Sequence, residues 1–142
     1  MSEALGYSWR LDLSWDGRGY VGWQRQPSGP SIQEAVERAL QQILGGEAVQ
    51  VRATGRTDAG VHAALQVAGF RCAASRTPEA LFHGLNACLP RDIACLAVTA
   101  APPDFSPRHW TRSKRYRYRV LVRAARCPFR EGFTWHLPKA LD

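Results

Sequence analysis

The chain has 142 residues, of which 45% are hydrophobic and 22% charged, the proportions of a single soluble globular domain, which exclude a disordered, collagenous or coiled-coil chain. No apolar run approaches the ~20 residues of a membrane span, and Met1 to Gly6 lacks the basic-then-apolar layout of a secretory signal, so the expectation is a cytoplasmic protein with no membrane contact. The 19 basic and 12 acidic residues give a net charge of +7, which makes a polyanionic partner worth looking for.

In chain order, Tyr7, Trp9, Leu11, Leu13 and Trp15 alternate with Ser8, Arg10, Asp12 and Ser14, the period of two of a half-buried strand. Asp16-Gly17-Arg18-Gly19 reads as a turn and Tyr20 to Gln26 as a short return strand, followed by a Pro27–Pro30 loop. Ser31-Ile32-Gln33-Glu34 has the form of a capping box. The apolar stripe Ile32, Ala35, Val36, Ala39, Leu40, Ile43 predicts a helix ended by Gly45-Gly46. Val49, Val51 and Ala53 predict a second main strand, and Leu65 to Phe70 a third. Thr77-Pro78 starts a second helix that runs to about Cys88 before Leu89-Pro90. Ile93 to Val98 predicts a strand, broken at Pro102-Pro103. Arg115 to Val122 alternates again, with Tyr116, Tyr118, Val120 and Val122 on one face, and Thr134 to Leu137 is a last short strand. Strands and helices mix without strict βαβ alternation, so the class is α+β with a largely antiparallel sheet and two helices packed on one face.

Cys72, Cys88, Cys95 and Cys127 are far apart, with no C-x-x-C pair, and the histidines supply no ligand spacing either. They read as reduced and mostly buried, and no metal is expected. The charge is unevenly placed. From Phe105 to Arg130 nine basic residues occur without an acidic one, interleaved with Phe105, Trp110, Tyr116, Tyr118 and Phe129. That is the composition of a nucleic-acid surface or of a protected edge strand. Tyr116, between Lys114, Arg115 and Arg117, could stack on an unpaired base or belong to the core. Asp58 is the candidate for chemistry. It follows a strand end, with Arg56 two residues before it and Gly55 and Gly60 allowing a tight turn. A guanidinium beside a carboxylate favours the ionised form that a nucleophile needs; the alternative is a structural turn aspartate. His62, four residues on, is either a general acid or base or a hydrogen-bonded structural histidine.

Asp16-Gly17-Arg18-Gly19-Tyr20-Val21-Gly22-Trp23-Gln24-Arg25-Gln26, and then Gly55-Arg56-Thr57-Asp58-Ala59-Gly60-Val61-His62-Ala63, resemble the tRNA pseudouridine synthase A family. Leu85-Asn86-Ala87-Cys88-Leu89-Pro90 and Lys114-Arg115-Tyr116-Arg117-Tyr118 resemble two further family segments in the same order. The resemblance implies an isomerase that converts uridine to pseudouridine at positions 38 to 40 of the anticodon stem-loop of tRNA, without cofactor or metal. It implies Asp58 as the catalytic nucleophile, Arg56 pairing with it and helping to extrude the base, and Tyr116 stacking on the flipped uracil. Arg25, Arg108, Arg112 and Arg115 would contact RNA. The implied fold is two similar α+β halves with the site between them, in a homodimer. Trp15 stands where the family usually has tyrosine, and Pro107 replaces a common alanine. Family members are roughly twice this long by domain arithmetic, and Pro138 to Asp142 reads as an approach to a further helix. Residues 1–142 are therefore expected to be the N-terminal half. The alternative is an RNA-binding domain without catalysis.

Overall fold

A computed structural model describes residues 6–140. The chain forms two compact units, Met1–Thr111 and Arg112–Asp142; Leu141 and Asp142, the end of the approach read above, lie outside the described residues.

The first unit is an α+β layer built on β1 (Tyr7–Trp15). β2 (Arg52–Ala53), β3 (Ala63–Cys72) and β4 (Ile93–Ala101) join it in the order β2-β3-β1-β4. Every neighbour in that sheet is antiparallel. The alternation in β1 sets which face is buried: Trp9, Leu11, Leu13 and Trp15 are in the core, and cross-strand pairing puts Phe70 beside Trp9 and Ala68 beside Leu11 on the same face. Both long helices contribute to that core. α1 (Ile32–Ile43) buries Ile32, Val36, Ala39 and Leu40, and α2 (Pro78–Cys88) buries Leu81 and Leu85. An added Cβ at Gly84 would lie 3.1 Å from Ile43 Cγ2, so the absence of a side chain there lets α2 approach α1.

Both helix starts follow their sequence signals. Ser31 Oγ accepts from the Glu34 amide at 3.1 Å, and Thr77 Oγ1 accepts from the Ala80 amide at 3.1 Å. The capping box at Ser31 is only half realised, because the Glu34 carboxylate instead meets Arg38 at 2.8 Å, one turn on, and Arg25 at 3.5 Å. Gly45 and Gly46, at φ +67° and +96°, end α1 as expected.

Elsewhere the strands differ from their predicted extents. No strand forms over Tyr20 to Gln26; Asp16 caps a 3-10 turn, Gly17–Gly19, and the chain then runs irregularly to an isolated bridge between Gln26 and Gly29. The strand expected from Val49 begins only at Arg52. Val51 is fully buried, but α1 side chains take its backbone groups: Gln33 Nε2 donates to Val51 O at 2.9 Å, and the Val51 amide donates to Glu37 Oε2 at 2.9 Å. β4 continues past Val98 to Ala101 and contains a bulge opposite Asp12 and Leu13. There Asn86 of α2 serves both backbone groups of Cys95, accepting from its amide and donating to its carbonyl, each at 2.9 Å. A four-residue helix, α3 (Pro107–Trp110), was not foreseen; with Phe105 it covers Gly69, where an added Cβ would lie 3.0 Å from Phe105 Cε2.

The second unit contains β5 (Val120–Val122) and β6 (Trp135–Leu137), paired parallel in a separate two-stranded sheet. Residues 112–119 take up no regular structure, so the strand expected from Arg115 is reduced to its last three residues. Tyr116, Tyr118, Val120 and Val122 are all exposed in this chain. All four cysteines are free; Cys72 and Cys95 are buried, Cys88 and Cys127 partly so. Burial pushes the Cys95 thiol up to about 11.

Candidate active site

Asp58 sits in the loop between β2 and β3, at the first position of a turn that its own carbonyl closes by accepting the Val61 amide at 3.2 Å. Gly60 occupies the third position at φ +79°, the conformation that such a turn demands and that a side chain resists. The carboxylate is exposed, and no hydrogen bond or ion pair engages it among the described residues.

The backbone under that turn is held tightly by the end of β1 and the segment that follows it. The Trp23 amide donates to Thr57 O at 3.1 Å, and the Gly60 amide to Tyr20 O at 3.2 Å. Trp15 Nε1 donates to Val61 O at 3.0 Å, and the Gly17 amide to His62 Nδ1 at 2.9 Å. Gln66 Nε2 adds a bond of 2.6 Å to Gly55 O. Two glycines make room for this contact. At Gly17 an added Cβ would fall into the Val61 carbonyl group, 2.6 Å from its carbon; at Gly22, where φ is +112°, it would overlap Thr57 O and lie 3.2 Å from Asp58 C. The two sequence strings, one around Gly17 to Trp23 and the other around Thr57 to His62, are thus the two sides of one backbone contact that presents Asp58.

A charged group flanks the contact. Arg18 forks onto Asp16, Nε to Oδ1 at 3.0 Å and Nη2 to Oδ2 at 2.6 Å, and these bonds hold the Asp16 carboxyl below its ordinary value. Tyr20 donates to Asp92 Oδ1 at 2.6 Å; burial first, and then that carboxylate, push its phenol up. Asp16 and Asp92 border a recess of about 390 Å³ with Ser14, Trp15, Arg91 and Ala94.

The first unit brings Asp58, Arg56, Arg25 and Arg108 onto one body, whereas Arg112, Arg115 and Tyr116 belong to the second unit. Arg56 is exposed and forms no ion pair with Asp58 or with any other described residue, so the expected pairing is not made in this state. Arg25 is committed to α1, at 3.1 Å from Glu37 and 3.5 Å from Glu34. Arg108 is exposed on α3, and Arg112, Arg115 and Tyr116 are exposed, Tyr116 by 70%. Sequence reasoning did not join Trp15, Gly17 or Gly22 to the Asp58 turn, and its structural reading of His62 is the one that the Gly17 bond supports. Among the described residues no cluster of three histidines, cysteines or carboxylates could hold a metal ion, and no helix is long and apolar enough to cross a membrane.

The chain is 47% identical over 133 residues to tRNA pseudouridine synthase A of Myxococcus xanthus, an alignment covering 94% of this chain and 50% of that protein. The proteins of the same name from Geobacter sulfurreducens and Pelobacter propionicus are 47% and 44% identical, again over 94% of this chain and 54% of theirs. The chain therefore spans about half the length of the curated relatives it matches. The family model for tRNA pseudouridine synthase matches residues 14–109, from the end of β1 through the Asp58 turn to α3, and the chain belongs to that family.

Proposed function

We propose that residues 1–142 are the half of a tRNA pseudouridine synthase that carries the catalytic aspartate, and that the complete enzyme isomerises uridine to pseudouridine at positions 38 to 40 of the anticodon stem-loop. The observation that carries the reading is the Asp58 turn: an exposed, unpaired carboxylate in a loop that four bonds, three to its backbone and one to the His62 ring, tie to the segment Trp15–Trp23. A nucleophile works only when it is held to within a fraction of an ångström of its target, and this brace supplies one side of that constraint.

The reaction breaks the bond between uracil N1 and C1′ and makes one between C5 and C1′. C5 loses a proton and N1 gains one, so atoms balance without a co-reactant. Asp58 adds to C6, attacks C1′ or assists a glycal route; each needs the carboxylate against the flipped nucleotide, and flipping costs a few kcal/mol. Arg56, two residues away with its guanidinium uncommitted, suits the phosphate of that nucleotide. Arg25 would first have to leave Glu34 and Glu37. Exposed Tyr116 suits stacking on the uracil, and exposed Arg108, Arg112 and Arg115 suit the backbone of a cytoplasmic tRNA. Assembly as a homodimer belongs to the same proposal.

The half-length coverage of the relatives favours a second reading, in which this chain binds tRNA without turnover. Asp58→Asn in a protein carrying both halves tests the first. The change is nearly isosteric, so folding and tRNA binding should survive while pseudouridine formation disappears. More than a trace of product from that variant would falsify the assignment of Asp58.

A further inference from the structure

We infer that His62 is a positioning residue for Asp58: its neutral ring, accepting the Gly17 amide at Nδ1, holds the turn that presents the carboxylate, and protonation of the ring releases that hold. The inference rests on the reading of Asp58 given above.

A backbone N–H can only donate. With the Gly17 amide 2.9 Å from His62 Nδ1, that nitrogen must carry a lone pair, which makes the ring neutral with its proton on Nε2. The same Nδ1 lies 3.3 Å from Asp16 Oδ1, another atom that can only accept while the carboxylate is ionised. Asp16 is kept ionised by the Arg18 fork. The ring therefore has two partners on one nitrogen, and they exclude each other. Neutral, it ties Gly17; protonated, it donates to Asp16 and turns an N–H toward the Gly17 amide.

The charged groups around this ring make the exchange possible. Asp16 faces it from the cap of the 3-10 turn with Arg18 on its carboxylate, and Asp92 is bonded to the same residue, its carbonyl accepting the Asp16 amide at 2.9 Å and its carboxylate held by Tyr20. Asp58 and Arg56 lie on the ring's own loop. The mechanical connection to Asp58 is short. His62 follows Val61, whose amide closes the turn onto Asp58 O and whose carbonyl takes the Trp15 indole. Losing the Gly17 bond removes one tie at that end of the turn, where the Trp15 indole is another. Gly17 has no Cβ to compensate, since the Val61 carbonyl occupies the place where one would stand.

The test is imidazole and amide nuclear magnetic resonance on the isotopically labelled 142-residue chain, followed over a pH series until the ring is seen in both protonation states. At the upper end His62 should show a bare Nδ1 and a protonated Nε2. As the ring titrates, the Gly17 amide should lose about tenfold in exchange protection relative to its intrinsic rate, the worth of one hydrogen bond, and the Asp58 and Gly60 amides should shift with the same midpoint. His62→Asn offers an oxygen near the Nδ1 position that does not titrate, so Gly17 protection should persist and stay flat with pH. His62→Phe should lose it throughout. A neutral ring protonated at Nδ1, a pH-independent Gly17 amide in the natural chain, or a His62→Asn variant that still titrates would each overturn the inference. If His62→Phe does not fold, the tautomer and the His62→Asn profile decide. Failure of the Asp58 assignment would show instead as turnover surviving in Asp58→Asn, a readout separate from the His62 tautomer and the Gly17 amide of the natural chain.

Discussion

The contact between the Gly17–Trp23 segment and the Asp58 turn makes a graded prediction about glycine substitutions. Gly22→Ala combines two penalties. Its φ of +112° is a conformation that side chains avoid, at a cost of about 1–3 kcal/mol. Its new Cβ would overlap Thr57 O, so the loop must back away and lose the bond of 3.1 Å from the Trp23 amide, about 0.5–1.5 kcal/mol more. A total destabilisation of about 1.5–4.5 kcal/mol follows. Gly17→Ala has only the steric part, and its Cβ meets the Val61 carbonyl, so about 1–3 kcal/mol is expected from forced backbone movement. Gly46→Ala is the control for conformation alone: φ is +96° and nothing lies within 4 Å, so about 1–2 kcal/mol is expected. Urea unfolding followed by tryptophan fluorescence reads all three, because Trp15 and Trp23 stack at 5.7 Å beside the contact. The reasoning further requires that Gly17→Ala and Gly22→Ala, but not Gly46→Ala, impair any activity that depends on Asp58. Equal stability losses at Gly22 and Gly46, with equal effects on activity, would refute the idea that close backbone approach matters here.

Two further predictions concern tRNA. Tyr116→Ala should damage pseudouridine formation by the two-half protein far more than Tyr116→Phe, which keeps a stacking face; equal damage from both, measured by product analysis, would point to the hydroxyl. Neutralising Arg112, Arg115 and Arg119 together should weaken binding to different tRNAs alike and flatten the slope of log affinity against log salt by roughly 0.7–0.9 for each lost phosphate contact; an unchanged slope in a filter-binding titration would leave them as solvated surface.

What could be read from the sequence was what neighbouring residues decide between themselves. The alternation from Tyr7 to Trp15 needs only one buried face to become β1, and Ser31 and Thr77 cap their helices through atoms three residues away. Where a distant group intervened, the reading failed. Val51 alternates like a strand residue, but Gln33 and Glu37 take its backbone, and Glu34 leaves its capping role for two arginines. The Asp58 turn was legible through Gly60, whereas its brace was not, because Gly17 and His62 are 45 residues apart and nothing in either neighbourhood announces the other. The family strings marked both sides without saying that they touch.

The Arg112–Asp142 unit leads to the last prediction. Its alternation says which side chains share a face but not what covers them. β5 and β6 contribute three residues each, and a lone two-stranded sheet is marginal in water. Val120, Val122 and Trp135 are exposed by 46%, 51% and 62%, and Phe129 by 95%. Tyr118, Phe129 and Phe133 line a recess of about 670 Å³ together with Arg119 and Arg130. Exposed apolar surface of this kind promotes association, and the matched relatives have about as much chain again with which to cover it. The 142-residue chain alone should therefore fold through its Met1–Thr111 unit, self-associate through the remainder, bind tRNA weakly and form no pseudouridine. Light scattering across a concentration series should give a mass above 15.8 kDa, and the double change Val122→Lys with Trp135→Lys should return it toward the monomer without loss of the β1 core signals. A chain that stays monomeric at every concentration would refute the association, and multiple turnover on tRNA by the purified chain would show that its active site needs no second half.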